Sequence, residues 1–193
     1  MSTFKNFTAI ATVGAVSLMG AGIASAATTS GPVPSHHVLA AHVLKTKKVA
    51  FKGSFSGTIA LLWSSTGVQA TAVTGHGTGT LLGAAAMKGS GAGTAASTCN
   101  PFSGTGSLTG AGSKLMVKVV TSSKTTACAA NSAAPTPVLV NGVATVTGGT
   151  GKYKGATGTL KFKGSFSIQS TTAGSNESDS FTATLTGTLT VKK

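Results

Sequence analysis

The chain has 193 residues, with 15 basic residues, all of them lysine, against two acids, for a formal net charge of +13. Without arginine there is no guanidinium to grip phosphates or guanine edges bidentately, and the aromatics do not interleave with the lysines, so a specific nucleic-acid partner is not expected. The only carboxylates are Glu177 and Asp179, too few for composition alone to point to acid–base catalysis.

Lys5 precedes an uncharged stretch from Asn6 to Ile23, and Ala24-Ser25-Ala26 closes it. That is the charged, apolar and small-residue order of a secretory signal peptide, predicted helical and removed after residue 26. Thr8, Thr12, Gly14, Ser17, Gly20 and Gly22 dilute the apolar run below what a spanning helix needs. The protein is therefore expected to be secreted, extracellular or at the cell surface, with no membrane segment after cleavage. Cleavage leaves 14 lysines against two acids, a formal charge of +12. Residues 27–46 read as a flexible lead-in, because Gly31-Pro32-Val33-Pro34 and small polar residues punctuate it. His36, His37 and His42 fall there without a nearby carboxylate or cysteine, and read as an incidental cluster. No metal and no cofactor is expected.

Residues 47–193 read as one all-β domain. Apolar residues alternate with polar ones at Val49, Phe51, Gly53, Phe55, Gly57, Ile59, Leu61 and Trp63, again from Leu160 through Phe162, Gly164, Phe166 and Ile168, and again from Phe181 to Val191. A period of two is a strand with one dry and one wet face. The pattern predicts about eight strands, over 48–64, 68–75, 77–87, 104–109, 113–122, 136–147, 155–171 and 178–192, with turns at the glycine and serine clusters. His76, between Gly75 and Gly77, is predicted at a turn or rim.

Phe51-Lys52-Gly53-Ser54-Phe55-Ser56 recurs identically at Phe162-Lys163-Gly164-Ser165-Phe166-Ser167. Two equivalent strands of this kind place phenylalanines inward around a glycine that lets the sheet bend, as a closed barrel requires. Cys99 and Cys128, alone in an exported chain and without CxxC spacing, are expected to form a disulfide. Lys48, Lys52, Lys161 and Lys163 fall on outward positions, as does the ladder Thr182, Thr184, Thr186, Thr188 and Thr190. Together the expectations are a closed antiparallel barrel of about eight strands, whose long strands and short turns favour closure over an open sheet.

The run Val146-Thr147-Gly148-Gly149-Thr150-Gly151-Lys152-Tyr153-Lys154-Gly155-Ala156-Thr157-Gly158 resembles the GGTG-x-[FY]-x-x-A-x-G signature of the allene oxide cyclase and dirigent barrel families. More loosely the likeness extends to the C-terminus, and it points to a bacterial secreted branch of that eight-stranded superfamily. The residues themselves read as a structural turn: Gly148, Gly149, Gly151, Gly155 and Gly158 supply backbone freedom and close approach, and Tyr153 covers the barrel end. No Gly-Lys-Ser/Thr ending follows, so a phosphate-binding loop is not expected.

Three functions remain open at this level. The leading one is a non-enzymatic barrel holding a small hydrophobic ligand against an interior of Phe51, Phe55, Trp63, Phe162, Phe166 and Phe181. No catalytic residue is assigned. The resemblance implies instead a cyclase- or isomerase-like enzyme that confines a reactive substrate, for which His76, Tyr153 and Glu177 are the residues to test. The charge implies, as a third, attachment to an anionic cell-wall polymer.

Overall fold

The computed structural model describes residues 45–192. The predicted leader, most of the lead-in and its three histidines lie outside the described residues. Nine strands follow: β1 (Thr46–Trp63), β2 (Gly67–Gly79), β3 (Gly83–Thr94), β4 (Cys99–Gly110), β5 (Ser113–Val119), β6 (Thr126–Ala129), β7 (Thr136–Thr150), β8 (Thr157–Ile168) and β9 (Asn176–Lys192). The only helical piece among the described residues is a single 3-10 turn, Gly151–Tyr153.

All pairings are antiparallel, in the order β3-β2-β1-β9-β8-β7-β5-β4, and β4 pairs back onto β3 to close the cylinder. β6 does not add a ninth place. It pairs with β4 over 99–101 and with β7 over 138–141, whereas β5 pairs with the same two strands over 104–110 and 144–150. β5 and β6 therefore share one stave, interrupted at residues 120–125, and the barrel has eight staves with no free edge.

The alternation read from sequence sets the interior. Along β1, Phe51, Phe55, Leu61 and Trp63 are buried while Lys52, Ser54, Ser56 and Thr58 are exposed. Along β9 the outward row is Thr182, Thr184, Thr186 and Thr188, and Lys52, Thr186 and Lys161 form one lateral row across three strands. Curvature tight enough to close comes from inward glycines, on which rings from other strands rest. A Cβ at Gly75 would stand 2.8 Å from Cζ of Phe181, and one at Gly142 would stand 2.5 Å from Cζ of Phe162. Those two phenylalanines thus lie along the wall instead of filling the axis.

The repeated hexapeptide occupies β1 and β8, the two strands flanking β9. Its copies are staggered, since Phe51 pairs with Gly187 and Phe162 with Leu185. One end is a packed core of Phe51, Phe55, Leu108, Leu115, Leu160 and Leu189, and Tyr153 caps it by donating its hydroxyl hydrogen to the carbonyl of Leu81. At the other end a smaller cluster, Leu61, Trp63, Val138 and Ile168, surrounds an open mouth.

Several predicted boundaries move. The predicted break at Gly75-His76-Gly77 does not occur: β2 runs unbroken to Gly79 and the chain turns over residues 80–82, because Gly75 and Gly77 are inward positions and not turn residues. His76 is accordingly an exposed residue within β2, outside the barrel, and not at a turn or rim. β4 begins at Cys99, not Gly104, β6 was not predicted, and β5 stops at Val119. Of the five glycines predicted for the turn, Gly151 (φ 59°) opens the 3-10 turn and Gly155 (φ 71°) follows it, whereas Gly148 and Gly149 lie within β7 and Gly158 within β8.

Candidate functional site: the barrel bore

Two cavities lie in series along the axis. The mouth cavity, about 550 Å³, runs from Trp63 past the serines, threonines and asparagine of the 94–100 connection to Phe166 and Ile168. Below it is a chamber of about 220 Å³ with an almost wholly apolar lining that includes Ile59, Phe162, Phe181 and Leu185. Phe102 and Phe166 line both, so these two rings form the partition between mouth and chamber. The Phe102 ring meets Phe162 edge-on, with centroids 6.0 Å apart and planes at 61°, a favourable aromatic geometry.

Of the six predicted interior aromatics, Trp63 and Phe166 line the mouth, and Phe162, Phe166 and Phe181 line the chamber. Phe51 and Phe55 belong to the packed end and line neither bore cavity. Phe162 borders both the chamber and the packed end, since it also packs against the core that holds Phe51 and Phe55. Phe102 lies outside the six expected aromatics, because β4 begins at Cys99 and not at Gly104. The alternation Phe102, Gly104, Gly106, Leu108 carries the signal.

Both carboxylates of the chain face inward at the mouth end. Glu177 and Asp179 continue the inward row of β9 beyond Phe181, opposite Leu61 and Ile59 of β1. Glu177 accepts hydrogen bonds from Nε1 of Trp63 at 2.7 Å through Oε1, and from the backbone N–H groups of Gln169 (2.7 Å) and Ser170 (3.2 Å) through Oε2. It joins the mouth ends of β1, β8 and β9. Asp179 is 9% exposed, and its Oδ2 is buried without a hydrogen-bond partner. Burial, and then the adjacent Glu177 charge, push its pKa above the usual aspartate value, with the Gln169 side chain opposing. Extending the β9 alternation two steps back from Phe181 would have placed both acids inside.

A disulfide joins Cys99 and Cys128, directly paired across β4 and β6 with Cα atoms 4.0 Å apart. Because Asn100, Ala127 and Ala129 line the mouth, the bond braces that part of its wall. The strand segments that frame the mouth, 59–63, 67–70, 91–94, 99–102, 126–129, 136–140, 166–168 and 176–181, contain no lysine and both acids. His76, Tyr153 and Glu177 do not converge: one is outside the barrel, one caps the packed end, one is at the mouth. Among the described residues no group of three or more histidine, cysteine or acidic side chains could hold a metal ion.

A scan against family models and searches of curated proteins and of solved structures find no match. The bore is an apolar chamber adjoining a more polar mouth, with the two acids beside the mouth.

Proposed function

We propose that the protein is a non-enzymatic binding barrel that takes a small hydrophobic molecule through the mouth and holds it in the chamber. The observation that carries this is the chamber itself, an apolar space of about 220 Å³ behind the Phe102–Phe166 partition. A cavity of roughly 150 Å³ lined by leucine and phenylalanine is enough to hold benzene, and transfer of apolar surface out of water supplies the driving force. The disulfide and the leader pattern support a site of action outside the cytosol. The eight-stave barrel and the glycine-rich β7–β8 connection support kinship with the allene oxide cyclase and dirigent-like superfamily.

The test is titration of the purified, disulfide-bonded protein with N-phenyl-1-naphthylamine, with Ala183→Leu as the blocking variant, since Ala183 lines the chamber. Saturable fluorescence enhancement that Ala183→Leu abolishes, with the thermal transition retained, is the expected result. Enhancement untouched by the substitution would place the dye elsewhere and end the reading.

A second reading rests on the sorting of charge. With the mouth free of lysine and Lys48, Lys52, Lys161 and Lys163 exposed on the rest of the barrel, attraction to an anionic cell-wall polymer would leave the mouth uncovered. Retention on immobilised poly(glycerol phosphate), reversed by salt and weakened by replacing those four lysines with glutamine, is expected; retention unchanged by the replacement would defeat it.

A further inference from the structure

The order of the strands decides which walls of the chamber face one another. In a cylinder of eight staves, those four places apart are opposite, so β3 stands across the bore from β8, and β4 from β9. At chamber level the two walls are unlike. β8 and β9 contribute the rings of Phe162, Phe166 and Phe181, whereas β3 and β4 contribute Gly89, Gly91, Gly104 and Gly106, between the Phe102 ring on the mouth side and Met87 and Leu108 on the packed side.

At its centre this wall has no room for a side chain. A Cβ at Gly91 would lie 2.5 Å from the carbonyl oxygen of Ser103, and one at Gly104 would lie 2.6 Å from that of Ser90. The obstruction in each case is backbone of the paired strand, which no rotamer change relieves. This wall therefore presents bare peptide groups. Across from it, the Phe162 ring leans over Gly142 of β7 and the Phe181 ring leans toward Gly75 of β2, so they splay to opposite sides. The space between the walls is a slot with aromatic rings on one side and bare glycine backbone on the other, bounded on the mouth side by the Phe102 ring, edge-on to Phe162.

Such a slot discriminates by shape. A rigid planar ring system meets aromatic rings in offset or edge-on contact, which is favourable beyond the area buried. An alkyl chain of equal size gains no such contact, and it must also give up the freedom of its rotatable bonds on entering. We infer that the chamber selects a planar unsaturated molecule of about two fused rings over a saturated chain. The inference rests on the binding function proposed above and specifies the class of ligand.

The experiment compares 2-naphthol with 1-decanol, which have equal numbers of heavy atoms and one hydroxyl each, by calorimetric titration of the intact disulfide-bonded protein. The expected result is that 2-naphthol binds at least about tenfold more tightly, and that Ala183→Leu abolishes its binding. Equal or tighter binding of 1-decanol would overturn the slot while leaving a hydrophobic-ligand barrel standing. Failure of both alcohols and of the naphthylamine dye would remove the binding function together with the inference. Phe181→Leu supplies an independent arm if it keeps a cooperative thermal transition: it should weaken 2-naphthol severalfold and leave 1-decanol within about twofold, and an equal loss for both would also overturn the slot. The wild-type comparison decides the matter if that variant does not fold.

Discussion

The indole Nε1 of Trp63 donates a hydrogen bond to Oε1 of Glu177 at 2.7 Å, tying the last residue of β1 to the start of β9 at the rim of the mouth. The same carboxylate accepts the backbone N–H groups of Gln169 and Ser170 through its other oxygen, so one side chain satisfies three donors. Glu177→Ala would leave all three without that acceptor. The expected loss is about 2–3 kcal/mol, above that of a single neutral hydrogen bond because the acceptor is charged. Guanidinium denaturation measures the loss, and fluorescence of the single tryptophan should shift to the red as the indole loosens; a variant with both quantities at wild-type values would show that the clamp is idle.

Asp179 gives the protein an unusual dependence on pH. Its raised pKa means that the folded chain holds this proton more tightly than the unfolded chain does. The stabilisation is fully present below the unfolded aspartate pKa and is lost as pH rises through the higher folded value. This residue's contribution to unfolding free energy therefore declines from about pH 4 upward, opposite to the trend produced by salt-bridged carboxylates. Asp179→Asn should remove the decline and raise the thermal midpoint at neutral pH. A steeper decline in the variant would contradict the assignment.

Tyr153 is 4% exposed at the packed end, with its hydroxyl on the carbonyl of Leu81. Tyr153→Phe keeps the ring and removes the hydrogen bond, at an expected cost of about 1 kcal/mol. Chemical denaturation checks the cost. Because the cap lies at the far end from the mouth, dye affinity should stay unchanged.

The Cys99–Cys128 bond closes a sequence separation of 29 residues. Replacing both cysteines with serine should cost about 3–4 kcal/mol in the chain-entropy model. Loss is expected first in β6, a strand of four residues, so amide exchange at Ala127 and Ala129 should accelerate more than at Leu160. Uniform acceleration would mean that the bond stabilises the barrel as a whole and not the mouth wall.

Gly142→Ala sets a new methyl 2.5 Å from Cζ of Phe162 and 3.0 Å from Cγ2 of Thr125. The ring has to leave the wall and move into the chamber. Overpacking of this kind costs about 1–3 kcal/mol, and the displaced ring should weaken dye binding at the same time. Stability and binding moving in opposite directions would disprove the account of how Phe162 rests.

The alternation around Phe51, Phe55, Leu185 and Leu189 was enough to read a barrel with a dry interior, because a two-residue period is a property of the extended backbone and needs no knowledge of partners. It was equally present at Phe102 and at Glu177 and Asp179, where glycine, proline and polar neighbours masked it. His76 shows the opposite error: Gly75 and Gly77 have the composition of a turn, yet they sit inside a continuous strand, where the space of a Cβ is taken by Phe181 and the β1 backbone at Gly75 and by the β1 backbone at Gly77. Local composition does not distinguish a glycine that turns the chain from one that makes room for another strand.

By itself, then, the sequence determined the long strands and which side of them is dry, the excess of lysine and the scarcity of acid. Only the tertiary structure decided that β3 and β4 face β8 and β9, that two identical hexapeptides contribute one to a packed end and the other to a chamber, and that the chain's two acidic side chains lie together at the mouth end of β9. The physical reason is that strand order and stagger are fixed by hydrogen bonds between residues far apart in the chain. The same inward phenylalanine can therefore fill a core or line a cavity, according to what its distant partners place opposite it.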